Sequence, residues 1–221
     1  MVANCGRIRP HMSVTLTAAR PALRGTMVVL WLVGIVGILF ISVAALPYFT
    51  LSETRFGDYW PRRWWLLAHI STGIVALLTG PVQLWLGLSD RRMAVHRRVG
   101  VAYMAAVAIS AVAGYYLASN TDGGWVFGFG LAGLATAWVI TTSLAFVAIK
   151  RQLFEQHKEW MIRSYVVTTG FVSFRALTIL LAAMQVGTAQ EQIAAASWFC
   201  WAVPLVLTEA VLQGRKILTV P

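Results

Sequence analysis

Six ionisable side chains stand within or at the edge of long apolar runs: His69, His96, His157, Arg163, Arg175 and Glu209. Such groups are costly in hydrocarbon, so each marks a place where the chain pairs charges or handles a ligand. Depth follows from position, at about 1.5 Å per helical residue across a core about 30 Å thick. His69 lies about 8 Å below one edge of its run, and Arg175 falls in the same layer. Arg163 and Glu209 both lie about 5 Å inside the opposite edge and carry opposite charges, which suits an ion pair. His96 and His157 each open a helix at that second edge. The expected inner layer is therefore His96, His157, Arg163 and Glu209, and the outer layer is His69 with Arg175.

Histidine pairs suggest specific chemistries. Bis-histidine haem b needs two imidazoles at one depth. His96 and His157 meet that condition; His69 has no histidine partner in its layer, so a two-haem wire across the membrane is incomplete. A quinone headgroup held by histidine and arginine is the other cofactor reading. A three-histidine zinc site fails because His69 stands about 20 Å from the other two. No H-E-x-x-H, G-x-S-x-G, P-loop or C-x-x-C pattern occurs. Glu209 is the only acid well inside a run, so the carboxylate chain of an ion transporter is missing. Cys5 and Cys200 are too far apart in the chain's layout to form a disulfide framework.

The elements that must position these groups are long apolar helices. Of 221 residues, 58% are hydrophobic and only 12% charged, with mean hydropathy +0.70. Ordinary soluble domains carry about 25% charged residues, so a soluble enzyme is excluded. The net charge of +10 sits in short segments between apolar runs, which suits lipid headgroups rather than nucleic acid. Six runs meet the length of a spanning helix: Met27–Tyr48, Trp64–Leu88, Val99–Ser119, Trp125–Ile149, Trp160–Val186 and Gln192–Leu212. The expected fold is an all-α polytopic bundle of six transmembrane helices over 27–213, between a basic tail, 1–26, and a short tail, 214–221.

Orientation follows from the basic residues. One side holds Arg7, Arg9, Arg20, Arg24, Arg91, Arg92, Arg97, Arg98, Lys150, Arg151, Lys158, Arg215 and Lys216; the other holds only Arg55, Arg62 and Arg63. Thirteen against three puts both termini in the cytoplasm of a bacterial inner membrane. The tail resembles the n-region of a signal, but the run after it is too long for cleavage. Met12 is a second potential start, which would leave out His11. Tryptophans such as Trp64, Trp85, Trp125 and Trp160 fall at run edges, where interfacial anchoring is expected. Gly80-Pro81 and Pro204 are expected to kink spans two and six. His96…Tyr103 and His157…Tyr165 form a weak echo of related hairpins.

The stretches HISTGIVALLTGPVQLW, HRRVGVAYM and HKEWMIRSYVVTTGFVSFR resemble the bacterial membrane proteins grouped as domain-of-unknown-function family 2306. The similarity runs from about span two to span five. It implies a six-to-eight-helix membrane protein with His69, His96, His157, Arg163 and Arg175 as signature positions, and it supplies no activity. Two classes of function stay open. One is a histidine/arginine site near the cytoplasmic face that binds haem or quinone for redox chemistry. The other is a non-enzymatic accessory subunit of a larger respiratory or photosynthetic complex, suggested by small residues such as GLAGLATA in span four.

Overall fold

A computed structural model describes residues 19–88 and 92–219, with side chains over 28–87 and 92–218. Cys5, Arg7, Arg9, His11, Met12 and Arg91 lie outside the described residues, as do the side chains of Arg20 and Arg24. Eight α-helices occur among the described residues: α1 (Ala19–Phe40), α2 (Glu53–Phe56), α3 (Arg63–Leu88), α4 (Met93–Ser119), α5 (Trp125–Lys150), α6 (Phe154–Thr168), α7 (Gly170–Ala183) and α8 (Ala189–Thr219). Five helical segments are each long and apolar enough to cross a membrane, and α6 with α7 supplies a sixth if that bent pair is one span. The protein is thus an all-helical, multi-pass membrane protein whose solvent is the lipid bilayer. Side chains such as Val43, Val101, Trp125 and Val206 stand well exposed on the outside of the bundle. In water such apolar surface would be untenable; against lipid it is the expected coat.

Helix ends follow local chemistry. At the start of α8, Thr188 and Glu191 form a capping box: the Glu191 carboxylate accepts from the Thr188 amide at 2.7 Å, and the Glu191 amide donates to the Thr188 hydroxyl at 3.3 Å. The ends of α5 and α7 share a Schellman pattern, with Gln152 and Gln185 in the left-handed region. Because glutamine rather than glycine occupies both positions, the sequence carries no conventional stop signal there. Helix α8 continues beyond the apolar run into the expected tail, where Lys216 reaches Glu159 of α6 at 2.8 Å.

Neither Gly80-Pro81 nor Pro204 interrupts its helix, whereas Pro47 opens the 3-10 turn after α1. The expected fifth span is divided instead at Thr169, where α6 and α7 meet at a bend of 41°. Thr169 turns its hydroxyl onto the Val166 carbonyl at 2.7 Å, a local bond that competes with helix continuation. Helix α1 also loses regularity at its end, passing into a π segment (Ile41–Ala45) and a 3-10 turn (Leu46–Thr50).

The main core joins α3, α4, α5 and α6 through Ala76, Tyr103, Val107, Leu134, Trp138, Met161 and Tyr165. Close approach depends on missing side chains. A β-carbon on Gly80 would overlap the Tyr165 ring, and one on Gly130 would overlap Ser197 of α8. The small residues of span four are therefore used inside the chain, to seat α8 on α5. The two ends of the bundle are distinct: one carries Arg62 and Asp122, which pair across two loops, and the other carries His96, His157 and Lys216.

Candidate functional site

A cavity of about 220 Å³ opens in the half of the bundle nearest Asp122. Its wall comes from α1 and the irregular segments after it (Phe40, Tyr48), α3 (His69), α5 (Trp138), and α6 and α7 (Thr168, Arg175). Both backbone irregularities border this space. In a membrane, non-helical backbone is tolerated where it is buried in protein or lines a cavity, and π segments frequently mark functional sites.

His69 is tied down on one side. Its Nδ1 lies 2.9 Å from the Ser110 carbonyl and 3.0 Å from the Ser110 hydroxyl. The carbonyl accepts only, so Nδ1 carries the proton, and the tautomer leaves Nε2 as an acceptor. The Phe171 ring meets the imidazole edge-on at 5.2 Å, which limits its rotation. Arg175, about one and a half turns into α7, lines the same cavity. Among the described residues its side chain has no hydrogen-bond or ion-pair partner. The expected outer layer is thus two polar groups on the wall of one largely apolar space.

The inner histidines are arranged differently. The rings of His96 and His157 are 6.4 Å apart, centre to centre, and nearly perpendicular. That is direct edge-to-face contact. His157 donates from Nδ1 to the Ala145 carbonyl at 2.9 Å. His96 packs over Gly87; among the described residues its buried Nδ1 and the buried Gln83 side-chain carbonyl oxygen have no hydrogen-bond partner.

Arg163 turns away from these rings toward α8. It bonds Glu209 at 2.6 Å and Glu159 at 3.5 Å, and lies 4.7 Å from the centre of the Trp160 ring. Lys216 and Gln213 complete the glutamates' bonds at 2.8 and 2.7 Å. The side chain of Arg163 is 6% exposed and that of Glu209 45%, so this network lies at the rim of the bundle. The difference from the expected layer is rotational: six residues separate His157 from Arg163, which places them on different faces of α6.

A third polar system escaped the sequence reading, which sought ionisable groups. Tyr103 (α4) bonds Ser164 and Thr168 (α6), each at 2.7 Å. Ser164 bonds Thr142 (α5) at 2.7 Å. Trp138 donates to Thr168 at 2.9 Å, so this tryptophan is a core donor rather than an interfacial anchor. The available signal was periodic: His157, Met161, Ser164 and Thr168 repeat at helical spacing on one face of α6. Among the described residues no group of three or more His, Cys, Asp or Glu could hold a metal ion.

The model of a family described as "Predicted membrane protein (DUF2306)" matches residues 66–212. None of the curated proteins and none of the solved structures matches the chain. The family match spans most of the chain, so the chain belongs to this family.

Proposed function

We propose that this member of the DUF2306 family binds a lipid-soluble quinone in the cavity between α1, α3, α5 and α7. The observation that carries the reading is the pairing of His69 and Arg175 on the wall of one apolar space about 220 Å³ in volume. A cavity of about 150 Å³ accepts benzene, so this one suits a single substituted ring and is too small for a porphyrin. Two para carbonyls need two donors. The Arg175 guanidinium supplies one; His69 supplies the other when its ring is protonated at both nitrogens, and in the neutral form its Nε2 accepts from a quinol hydroxyl instead. Tyr48, Phe171 and Trp138 offer flat apolar surface to the ring. An isoprenoid tail would leave the cavity toward lipid.

The experiment is a titration of the reconstituted full chain with ubiquinone-1, following tryptophan fluorescence. Saturable quenching is expected, with affinity at least tenfold weaker in Arg175→Gln and in His69→Leu. Unsaturable quenching, or equal affinity in all three proteins, would reject the site.

The charge distribution supports the Asp122 end facing away from the cytoplasm in a bacterial inner membrane. Thr121→Cys should then react with an impermeant maleimide in intact cells, and labelling only after lysis would reverse the orientation.

A further inference from the structure

We propose that the buried hydroxyls of Thr142, Ser164, Tyr103 and Thr168 form a proton wire from the histidine-pair end of the bundle to the cavity. The chain is continuous: Thr142 to Ser164, Ser164 to Tyr103 and Tyr103 to Thr168 are each 2.7 Å. Tyr103 and Ser164 are fully buried, and Thr142 nearly so. Thr168 lies on the cavity wall. Three helices meet here, α4, α5 and α6, yet interhelical cohesion alone would need only isolated pairs.

Donor logic gives the wire a direction. Trp138 Nε1–H can only donate, and it donates to Thr168 at 2.9 Å. Thr168 in turn donates to the Ser164 carbonyl at 2.9 Å, an atom that only accepts. Thr168 therefore has no hydrogen left for Tyr103, so Tyr103 donates to Thr168. By the same exclusion Ser164 donates to Tyr103, and Thr142 donates to Ser164. The O–H bonds of Thr142, Ser164 and Tyr103 point from the His157 end toward the cavity, and that of Thr168 rests on the Ser164 carbonyl.

A transfer follows that polarity. Thr168 rotates its hydroxyl from the Ser164 carbonyl to an acceptor in the cavity and releases the proton. Tyr103 then gives Thr168 its proton, Ser164 replaces that of Tyr103, and Thr142 replaces that of Ser164. Thr142 takes one proton from the far side. Each oxygen loses one O–H bond and gains one, no electron moves, and one proton is delivered. At the far side, His157 bonds the Ala145 carbonyl, one turn along α5 from Thr142. The rise over that turn is about 4.5 Å, and the proposed path crosses it through water. His96, in edge contact with His157, continues the path outward.

The wire uses the quinone reading only for the position of its outer end, and its test is separate. The full chain is reconstituted in phosphatidylcholine vesicles holding pyranine, and a valinomycin potassium potential drives proton entry. Entry well above that of protein-free vesicles is expected, with at least a tenfold fall in Tyr103→Phe and Thr142→Val. Thr142→Ser, which keeps the hydroxyl, should stay within twofold of the parent and controls for folding. Parent vesicles no faster than empty ones, or equal rates for Thr142→Val and Thr142→Ser, would overturn the wire. Loss of ubiquinone-1 binding in Arg175→Gln with unchanged proton entry would support it. Failure of the parent to bind ubiquinone-1, with proton entry still sensitive to Thr142→Val, would keep the wire and reject the ligand.

Discussion

Arg163 and Arg175 lie twelve residues apart, on either side of the bend at Thr169, and the protein treats them in opposite ways. Arg163 is buried against α8 with two glutamates and the Trp160 ring. Arg175 lines a cavity and has no polar partner among the described residues. A charge in a low-dielectric setting must be neutralised or must serve a ligand. Arg163 is neutralised within the fold, whereas Arg175 is exposed and is the group that the proposed quinone would engage. The bend permits this division, because α6 packs on α5 and α8 while α7, packed on α8 through Phe174, turns Arg175 to the cavity.

The sharpest way to break this comparison is to remove Arg163. Arg163→Leu leaves Glu209 and Glu159 without their shared cation and should cost about 3 kcal/mol, near the low end for a broken buried pair because Glu209 is half exposed. Arg163→Leu combined with Glu209→Leu should cost less than the single change. Thermal melting in detergent measures both, and equal or larger loss in the double variant would show that the ion pair is not what holds α6 to α8.

The next effect concerns the fixed position of α6. Gly80→Ala places a methyl into the Tyr165 ring and should lose about 1–3 kcal/mol through overpacking. Tyr165→Leu in the same background should recover part of it. No loss in Gly80→Ala would mean that α3 and α6 slide apart freely.

Arg175 should behave in the opposite sense. Arg175→Gln is expected to change stability by no more than about 0.5 kcal/mol, even though ubiquinone-1 affinity falls tenfold. A destabilisation as large as that of Arg163→Leu would erase the distinction between the two arginines.

A small effect is also expected at the loops. Arg62 and Asp122 pair where the Asp122 side chain is 65% exposed, so Arg62→Ala should cost at most about 1 kcal/mol. A larger loss would show that this loop contact holds the cavity closed.

Much of the architecture is legible in the residue order. Hydropathy is additive along the chain, so five of the six long apolar runs read directly as spanning helices, and the sixth does if the bent α6–α7 pair is one span. Depth is also one-dimensional: counting residues put Arg163 level with Glu209 and His69 level with Arg175, and the side chains in each pair share a network or a cavity wall. The bend escaped because a threonine hydroxyl bond like that of Thr169 also occurs inside unbroken helices, at Thr141 and Thr208, while Gly80-Pro81 and Pro204 look like stronger breakers. The hydroxyl chain escaped because serine, threonine and tyrosine in a span are ordinary until their partners on other helices are known.

Composition and spacing by themselves determined the class of protein, its spans and the depth of every charge, since each depends only on distance along the chain. Tertiary structure alone decided which face each helix turns inward. That rotation placed Arg163 on α8 rather than beside the histidines, and brought His96 and His157 into contact. It also left a cavity where α1 and α7 depart from regular helix. Rotation escapes a linear reading because it is set by packing: the overlap of Tyr165 with the space above Gly80, and of Ser197 with that above Gly130, admits only one register between neighbouring helices.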